Sequence, residues 1–294
     1  MLTINELLIA TEIGLIYGIL ALGIYLTFRT INFPDLTCDG SFVTGAAISS
    51  VIIKAGFNPI IGLLCSMLAG GAAGLLTGII NIRLKIEDLL SGIIVAFMLY
   101  SINLRILGTN PNISLVNATT IFSNGNSMLI CAIIAVIVLL CIAFLLNSDF
   151  GLGLRTIGQN KTFASANGIN VNAMTIFGLA LSNALVGMCG AIFTQYQGFC
   201  DVSQGTGCLV IGLTSVIIGE KLIPNMKFMK DVKIEIRNFL EISFLVVACI
   251  FGSIIYRIFI AIAINSDIFG LKTQDLNLIT GILIIFIMSR RKKC

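Results

Sequence analysis

The chain has 294 residues, of which 57% are hydrophobic and 11% charged, and its formal net charge is +4. Globular domains carry about a quarter charged residues, so this composition excludes a soluble domain. The sequence contains no histidine, which excludes histidine-based catalysis and histidine metal sites.

Nine apolar runs divide the chain. A helix needs ~20 mostly apolar residues to cross about 30 Å of hydrocarbon. The runs at or near that length are 7–28, 41–55, 60–81, 89–107, 128–146, 174–195, 209–223, 239–264 and 276–288. The second, seventh and ninth are short, so broken or re-entrant elements are open alternatives to full spans. The runs do not alternate apolar and polar residues as barrel strands do, so we predict one all-α polytopic membrane helical bundle of about eight or nine spans over residues 1–294.

Basic residues collect on one side of these runs. If all nine runs cross and the C-terminus lies inside, 14 of the 18 Lys and Arg residues fall in cytoplasmic connections. This bias is a positive-inside signal, typical of a multi-pass membrane protein. It places three elements in the cytoplasm: a polar segment at 149–170, a basic loop at 221–237 and a basic tail at 290–294. The same bias accounts for the net charge without nucleic acid as a partner.

The first run ends in a polar break. Its candidate residues for the lining of a translocation pathway are Asn32, Pro34, Asp35, Thr37, Asp39 and Gly40. Pro34 ends a helix, and carboxylates at membrane depth are costly unless they face water or a partner. A pathway-lining break and an ordinary cytoplasmic turn both fit this pattern. Gln195 and Gln197, at the end of the sixth run, are further pathway candidates, although Gln195 could instead hydrogen-bond across helices, like Asn103 and Asn183.

A faint internal repeat joins the third and sixth runs. Residues 60–74 align with residues 176–190 at a constant offset of 116, with three glycines and one serine in register. The two runs cross in opposite senses in the predicted topology, which indicates an inverted repeat, a plan that transporters use with the substrate route near the midplane. Chance similarity is the alternative, because close helix packing selects Gly, Ala and Ser on many helix faces.

The polar segment has the local signals of a short helix. Gly151 and Gly153 let the chain turn out of the membrane, Asn160 is a good N-cap for a helix over 161–167, and Gly168 supplies a left-handed stop. Such a helix is too short to be stable alone in water. It therefore needs packing against the protein's own loops or against a partner protein, with an ordinary connector as the alternative.

The same segment contains a near match to a phosphate-binding loop that lacks the spacing such a loop requires. Gly153 and Gly158 have the spacing of a Walker motif, but two residues separate Gly158 from Lys161. The motif requires the lysine directly after the second glycine, where it reaches the phosphates. We therefore expect no Walker-type ATP site in this chain, no cofactor and no enzyme activity of its own.

Two further features involve the later runs. Arg257 lies inside an apolar run, and we predict a structural ion pair with Glu220, with substrate contact as the alternative.

Cys200 and Cys208 share one predicted outside connection, which leaves a disulfide between them open. The nine cysteines include no CxxC pair, and five lie inside apolar runs, where cysteine acts as a small hydrophobe.

Four motifs, in this order along the chain, resemble the permease subunit of ABC importers. They are Arg29–Phe42, Gly151–Asn170, Gln195–Ser203 and Val216–Glu220. The likeness is to the branched-chain amino acid and ribose type, closest to the group described as tryptophan/tyrosine or uncharacterised ABC permeases, and it runs from about Leu7 to about Met288. Cys38 and Cys200 depart from the small or aliphatic residues usual at those positions.

This resemblance implies partners and a mechanism. It implies a homodimer, or a pseudo-dimer with a second permease, in the cell (inner) membrane, together with two ABC ATPase subunits and an extracytoplasmic substrate-binding protein. The polar segment corresponds to the coupling helix that docks into a groove on the ATPase. The residues thereby assigned to ATPase coupling are Leu152, Arg155, Gly158, Asn160, Lys161, Phe163, Ala164, Gly168 and Ile169. The chain itself is expected to form the translocation pathway for a small solute, an amino acid by resemblance.

An ion-coupled secondary transporter or channel is the alternative function. It should place ionisable residues at mid-span to bind the coupling ion, and Arg257 alone clearly does so. A membrane enzyme should show clustered His, Asp or Cys at the interface, which the sequence lacks. Both classes are therefore disfavoured against the importer subunit.

Overall fold

Helices dominate the computed structural model, which describes residues 4–108, 110–123, 125–222, 234–265, 280–282 and 285. Within these ranges the helices are α1 (Ile4–Ile24), α2 (Thr37–Lys54), α3 (Pro59–Leu84), α4 (Asp88–Leu107), α5 (Ser127–Asn147), α6 (Asp149–Gln159), α7 (Lys161–Ala166), α8 (Val171–Gln197), α9 (Cys208–Leu222) and α10 (Ile234–Asn265). A π-helix, Tyr25–Ile31, continues α1, and a 3-10 helix, Val202–Gly205, precedes α9. Two three-residue strands, β1 (Asn112–Ser114) and β2 (Phe199–Asp201), pair antiparallel.

Seven helical stretches in the described part of the chain are long and apolar enough to cross a membrane. This confirms a multi-pass helical bundle, with slightly fewer such stretches than the predicted eight or nine spans. The second predicted run forms α2, an unbroken helix of 18 residues that is largely buried and is not one of the seven. Most of the ninth run, most of the loop at 221–237 and the whole tail at 290–294 lie outside the described residues.

Glycines bring the backbone of α3 into direct contact with that of α8. A Cβ added at Gly70 would lie 2.2 Å from the carbonyl oxygen of Asn183, and a Cβ added at Gly74 would lie 2.2 Å from that of Leu179. These distances leave room for hydrogen alone. Between membrane helices there is little hydrophobic driving force, so association depends on such close approach. The numbering of the contacts rises along α3 as it falls along α8, so the two helices are antiparallel.

α2 packs on α8 in the same way. A Cβ added at Gly45 would lie 1.9 Å from the carbonyl oxygen of Gly187, and one added at Gly190 would lie 2.0 Å from that of Phe42. We call α2, α3 and α8 the first helix group. Its interior lies along α8, most of whose length is buried.

The antiparallel contact of α3 and α8 supports the inverted repeat without settling it. Ser66 and Ser182, which align at the offset of 116, each donate to a glycine carbonyl on a neighbouring helix. Ser66 Oγ donates to the carbonyl oxygen of Gly45 at 2.7 Å, and Ser182 Oγ donates to that of Gly23 at 2.7 Å. The two acceptor glycines do not align with each other at that offset, so these bonds add no support for the repeat, which stays a prediction.

A second helix group consists of α1, α9 and α10. A Cβ added at Gly252 of α10 would lie 2.1 Å from the carbonyl oxygen of Ser215 in α9. Ser253 Oγ donates to the carbonyl oxygen of Gly14 in α1 at 2.5 Å. The polar break between the π-helix and α2 is therefore one of two chain connections between the groups, the other being β2 and the 3-10 helix between α8 and α9.

Aromatic rings fill the space where the two groups meet. The ring centroid of Tyr17 in α1 lies 6.2 Å from that of Phe42 in α2 and 5.2 Å from that of Phe193 in α8. Edge-on and offset contacts at these distances favour ring pairing beyond simple burial. The groups are therefore packed against each other along α1 and α8.

The open question of a disulfide between Cys200 and Cys208 is answered by the structure, in which both thiols are free. Cys200 lies on β2, where it pairs in register with Ile113 and is buried. Burial raises the pKa of the Cys200 thiol to about 11, so it is protonated at neutral pH.

Neighbouring glycines of α3 give a test of the packing. We expect Gly70→Ala to lower the free energy of unfolding by about 1–3 kcal/mol or more, because the new methyl group meets a backbone carbonyl that cannot move independently of α8. Gly71→Ala is the matched control, since its Cβ would lie 3.5 Å from its nearest neighbours, an ordinary contact. Unfolding of the detergent-purified chain measures both, and equal losses would contradict the packing described here.

Candidate coupling and translocation site

The polar segment folds into two short helices, α6 and α7, where the sequence predicted one. Asn160 separates them and caps α7: its Oδ1 accepts a hydrogen bond from the backbone N–H of Phe163 at 3.0 Å. Gly168 has a φ of +80°, the left-handed conformation expected for a helix stop. The predicted cap, helix and stop are thus all present.

The predicted function of Gly151 and Gly153 was wrong. Both lie inside α6, and the turn out of α5 occurs at Ser148, whose Oγ accepts from the backbone N–H of Gly151 at 3.4 Å. A Cβ added at Gly151 would lie 2.4 Å from the carbonyl oxygen of Leu145. This glycine therefore permits a close approach of α6 to α5, and does not supply flexibility for a turn.

The α6–α7 segment is anchored to the bundle by its apolar side. Ala164 of α7 and Leu154 and Ile157 of α6 are fully buried in one cluster with Ile31, Phe33 and Leu179. Ile169 packs against the same cluster. The stabilising surface that so short a helix needs is therefore supplied by the protein's own bundle.

The opposite side of the segment is exposed, and it carries two large apolar side chains. Phe163 is 60% exposed and Leu152 is 56% exposed. Of the other coupling candidates, Asn160, Lys161 and Gly168 are exposed, and Arg155 and Gly158 are half-buried. Lys161 Nζ lies 3.9 Å from Asp88 at the start of α4, a surface ion pair that adds little stability.

α6 rests directly on the π-helix. A Cβ added at Gly158 would lie 2.1 Å from the carbonyl oxygen of Thr30, so the two backbones touch. π-Helical turns are uncommon and occur frequently at functional sites. The contact places the segment against the polar break, which begins at Asn32 with a left-handed φ of 58°.

Within the break, Asp35 and Thr37 are committed to hydrogen bonds between helices. Asp35 is 1% exposed, and its carboxylate accepts from the backbone N–H of Thr37 at 2.8 Å and from Asn183 Nδ2 at 2.6 Å. The hydroxyl groups of Thr37 and Thr77 lie 2.7 Å apart. These bonds offset the cost of placing a carboxylate among membrane helices. Pro34 is half-buried and Asn32 exposed.

A groove with a volume of about 760 Å³ lies beside the break. Two predicted pathway residues, Asp39 and Gly40, line it, together with α4 and the 3-10 helix. Sequence reasoning missed its other walls, which include Val43, Ile93, Phe97, Tyr100, Ser203 and Thr206. Asn103 also lines the groove, and its buried Oδ1 has no hydrogen-bond partner among the described residues.

Asp39 ties the groove wall to the start of α9. Its Oδ1 accepts from the backbone N–H of Leu209 at 2.8 Å, and its Oδ2 accepts from that of Gly207 at 3.1 Å. The first N–H groups of a helix have no partner within the helix and carry a partial positive charge, so a carboxylate there is stabilised. Asp39 of α2 thus caps a helix of the second group across the break.

The two glutamines lie away from the groove lining. Gln195 is buried: its Nε2 donates to Ser49 Oγ at 3.0 Å, and its Oε1 accepts from the backbone N–H of Ile121 at 3.2 Å. This is the hydrogen bond across elements that the sequence offered as an alternative. Gln197 is exposed, and its Oε1 accepts from Gln204 Nε2 at 3.1 Å.

The predicted ion pair between Glu220 and Arg257 was wrong. Glu220 instead pairs with Arg29 of the π-helix, with 2.5 Å between Oε2 and Nη2. The Arg257 guanidinium lies over the ring of Tyr17, 4.2 Å from its centroid. The ring face attracts the guanidinium charge, and Arg257 Nε is buried without a hydrogen-bond partner among the described residues.

Removal of the Asp35 carboxylate tests the break. We expect Asp35→Ala to lower the free energy of unfolding by about 1–3 kcal/mol, because it leaves Asn183 Nδ2 and a backbone N–H buried with fewer partners. Asp201→Ala is the control, since that carboxylate accepts from Ser203 N–H within a surface turn where water can replace it. Unfolding in detergent measures both, and a loss no larger for Asp35 than for Asp201 would contradict the arrangement.

Sequence comparisons show the family to which the chain belongs. A sequence model of the family described as "Branched-chain amino acid transport system / permease component" matches residues 7–288. The tyrosine transport system permease protein of Clostridioides difficile is 38% identical over 273 residues, which cover 92% of this chain and 86% of that protein. An uncharacterised protein of Rickettsia prowazekii is 31% identical over 292 residues, 98% of this chain and 99% of that protein.

A more distant relative is also described as a permease protein. A probable branched-chain amino acid transport permease protein of Methanocaldococcus jannaschii, LivH, is 26% identical over 211 residues and covers 66% of each chain. The relatives whose function is named are permease components of transport systems, not enzymes. The chain belongs to the family of permease components of branched-chain amino acid transport systems.

Proposed function

We propose that this chain is the transmembrane permease subunit of an ABC importer for a small solute, an amino acid or a similar molecule. The observation that carries the proposal is the α6–α7 segment, which is anchored by its buried side and presents Phe163 and Leu152 to water on the other. Exposed apolar side chains on an ordered surface mark interaction sites. The segment is the docking surface for a separate ATPase subunit, which hydrolyses ATP.

The end of the bundle that holds α6 and α7 is cytoplasmic in this proposal. The predicted excess of Lys and Arg on this side supports the orientation. It gives the docking surface access to a soluble ATPase. It also places the β1–β2 pair on the outer side, where a substrate-binding protein delivers the solute.

The groove beside the break is the part of the translocation pathway that this chain provides. It lies between α2 and α4 on one side and the 3-10 helix that leads into α9 on the other. Asp39 of α2 connects the two sides through its hydrogen bond to the start of α9. Apolar side chains with a few placed polar groups are typical of small-molecule sites. The named tyrosine permease among the relatives supports an amino acid as the solute. A second permease subunit, identical or similar, completes the pathway.

Phe163 gives a direct test of ATPase docking. We expect Phe163→Ser to abolish co-purification of the ATPase with the tagged chain from its host membranes, because it removes the largest exposed apolar contact of the segment. Phe57→Ser is the matched control: Phe57 is 61% exposed, against 60% for Phe163, but lies in the α2–α3 turn. Retention of the ATPase by the Phe163 variant, or its loss from both variants, would contradict the proposed surface.

Labelling of introduced cysteines tests the orientation. Ser165 of α7 and Ala55, after α2, are both exposed. We expect Ser165→Cys to react with a membrane-impermeant maleimide after cell lysis alone, and Ala55→Cys to react in intact cells. Labelling of Ser165→Cys from outside intact cells would place the docking surface out of reach of any cytoplasmic ATPase, and the proposed function would fail.

A further inference from the structure

α9 is held at both of its ends by residues that flank the polar break. At its carboxyl end, Glu220 accepts a hydrogen bond from Arg29 of the π-helix. At its amino end, the backbone N–H groups of Gly207 and Leu209 donate to the carboxylate of Asp39 in α2. One helix is therefore tied to both sides of the same break.

The amino end of α9 continues one wall of the groove. Gly205 and Thr206, directly before α9, line the groove opposite Tyr100 of α4. A Cβ added at Gly205 would lie 2.2 Å from the carbonyl oxygen of Asp39, so this wall is in backbone contact with α2. A shift of α9 therefore alters the shape of the groove.

The carboxyl end of α9 is connected to the α6–α7 segment through the π-helix. The contact of Gly158 with the carbonyl group of Thr30 joins α6 to the π-helix. Thr30 is adjacent in sequence to Arg29, the partner of Glu220. Protein interiors have low compressibility, so contacts of this kind transmit a displacement.

Folding stability alone does not account for the ion pair. The side chains of Arg29 and Glu220 are 33% and 26% exposed. Ion pairs between partly exposed side chains contribute little to folding, because water already solvates both charges. The pair does, however, fix the position of the π-helix relative to the end of α9.

We propose that the ion pair between Arg29 and Glu220 transmits movement of the α6–α7 segment to α9, and thereby to the wall of the groove. The inference rests on the proposed function, because it takes the ATPase to be the partner that moves the segment. Arg29 and Glu220 are positioning residues, since they lie outside the groove lining and act through α9.

The test follows groove access in the complex of the chain with its ATPase, reconstituted in proteoliposomes. The probe is Thr206→Cys, an exposed position at the groove. Its rate of labelling by a membrane-impermeant maleimide is measured with and without ATP plus vanadate. The same complex without the introduced cysteine gives the background from the natural thiols.

We expect nucleotide to change the labelling rate when the ion pair is intact. Arg29→Glu and Glu220→Arg should each lose this change while the ATPase stays bound. The two substitutions together rebuild the pair with exchanged charges and should restore it. Lys54→Glu, a charge reversal at an exposed position of the opposite end, should leave the change intact.

Three results overturn the inference. The first is a full nucleotide-dependent change in either single variant, and the second is no change in the parent complex with its ATPase bound. The third applies where the single variants do not assemble with the ATPase. It is a double variant that assembles but shows no nucleotide-dependent change in the labelling rate. A chain that never retains an ATPase contradicts the proposed function instead, so the two failures are distinguishable.

Discussion

Backbone contact between α8 and its neighbours α2 and α3 sets the geometry of the bundle. Lipid tails are as apolar as leucine, so helices in a membrane gain little from burying large side chains against one another. Here glycines at the crossing points let carbonyl groups and Cα atoms touch, as at Gly45 and Gly187. Once α8 is fixed in this way, its polar side chains reach fixed partners: Asn183 meets Asp35, and Gln195 meets Ser49.

The polar break depends on that geometry, because Asp35 within it hydrogen-bonds to Asn183 of α8. It connects two groups of helices, and its carboxylates are satisfied by different ones: Asp35 by α8 and Asp39 by the amino end of α9. Charged groups at membrane depth are costly and are commonly functional where they occur. Each carboxylate accepts from backbone N–H groups at the start of a helix: Asp35 from Thr37 of α2, and Asp39 from Leu209 of α9. Asp39 couples the first helix group to the second at the edge of the groove, whereas Asp35 bonds within the first group.

Local signals in the sequence predicted structure well, and tertiary contacts explain the failures. The spans followed from hydropathy, and the cap at Asn160 and the stop at Gly168 followed from residues within a few positions of each other. Gly151 was misread because a glycine that permits close approach is indistinguishable, in sequence, from one that permits a turn. The partner of Glu220 was wrong because the sequence does not show which helix ends meet. Phe97 and Tyr100 were missed because an apolar groove wall resembles a lipid-facing surface.

The α6–α7 segment shows how a short helix can be both ordered and available. A six-residue helix gains too few internal hydrogen bonds to persist alone. Ala164 therefore faces the bundle, and the cap at Asn160 satisfies an N–H group at its start. Because the buried side supplies much of this order, the exposed side can keep Phe163 in water. In the proposed function, a partner that binds there meets this ordered surface, and its displacement passes to the π-helix through the contact at Gly158.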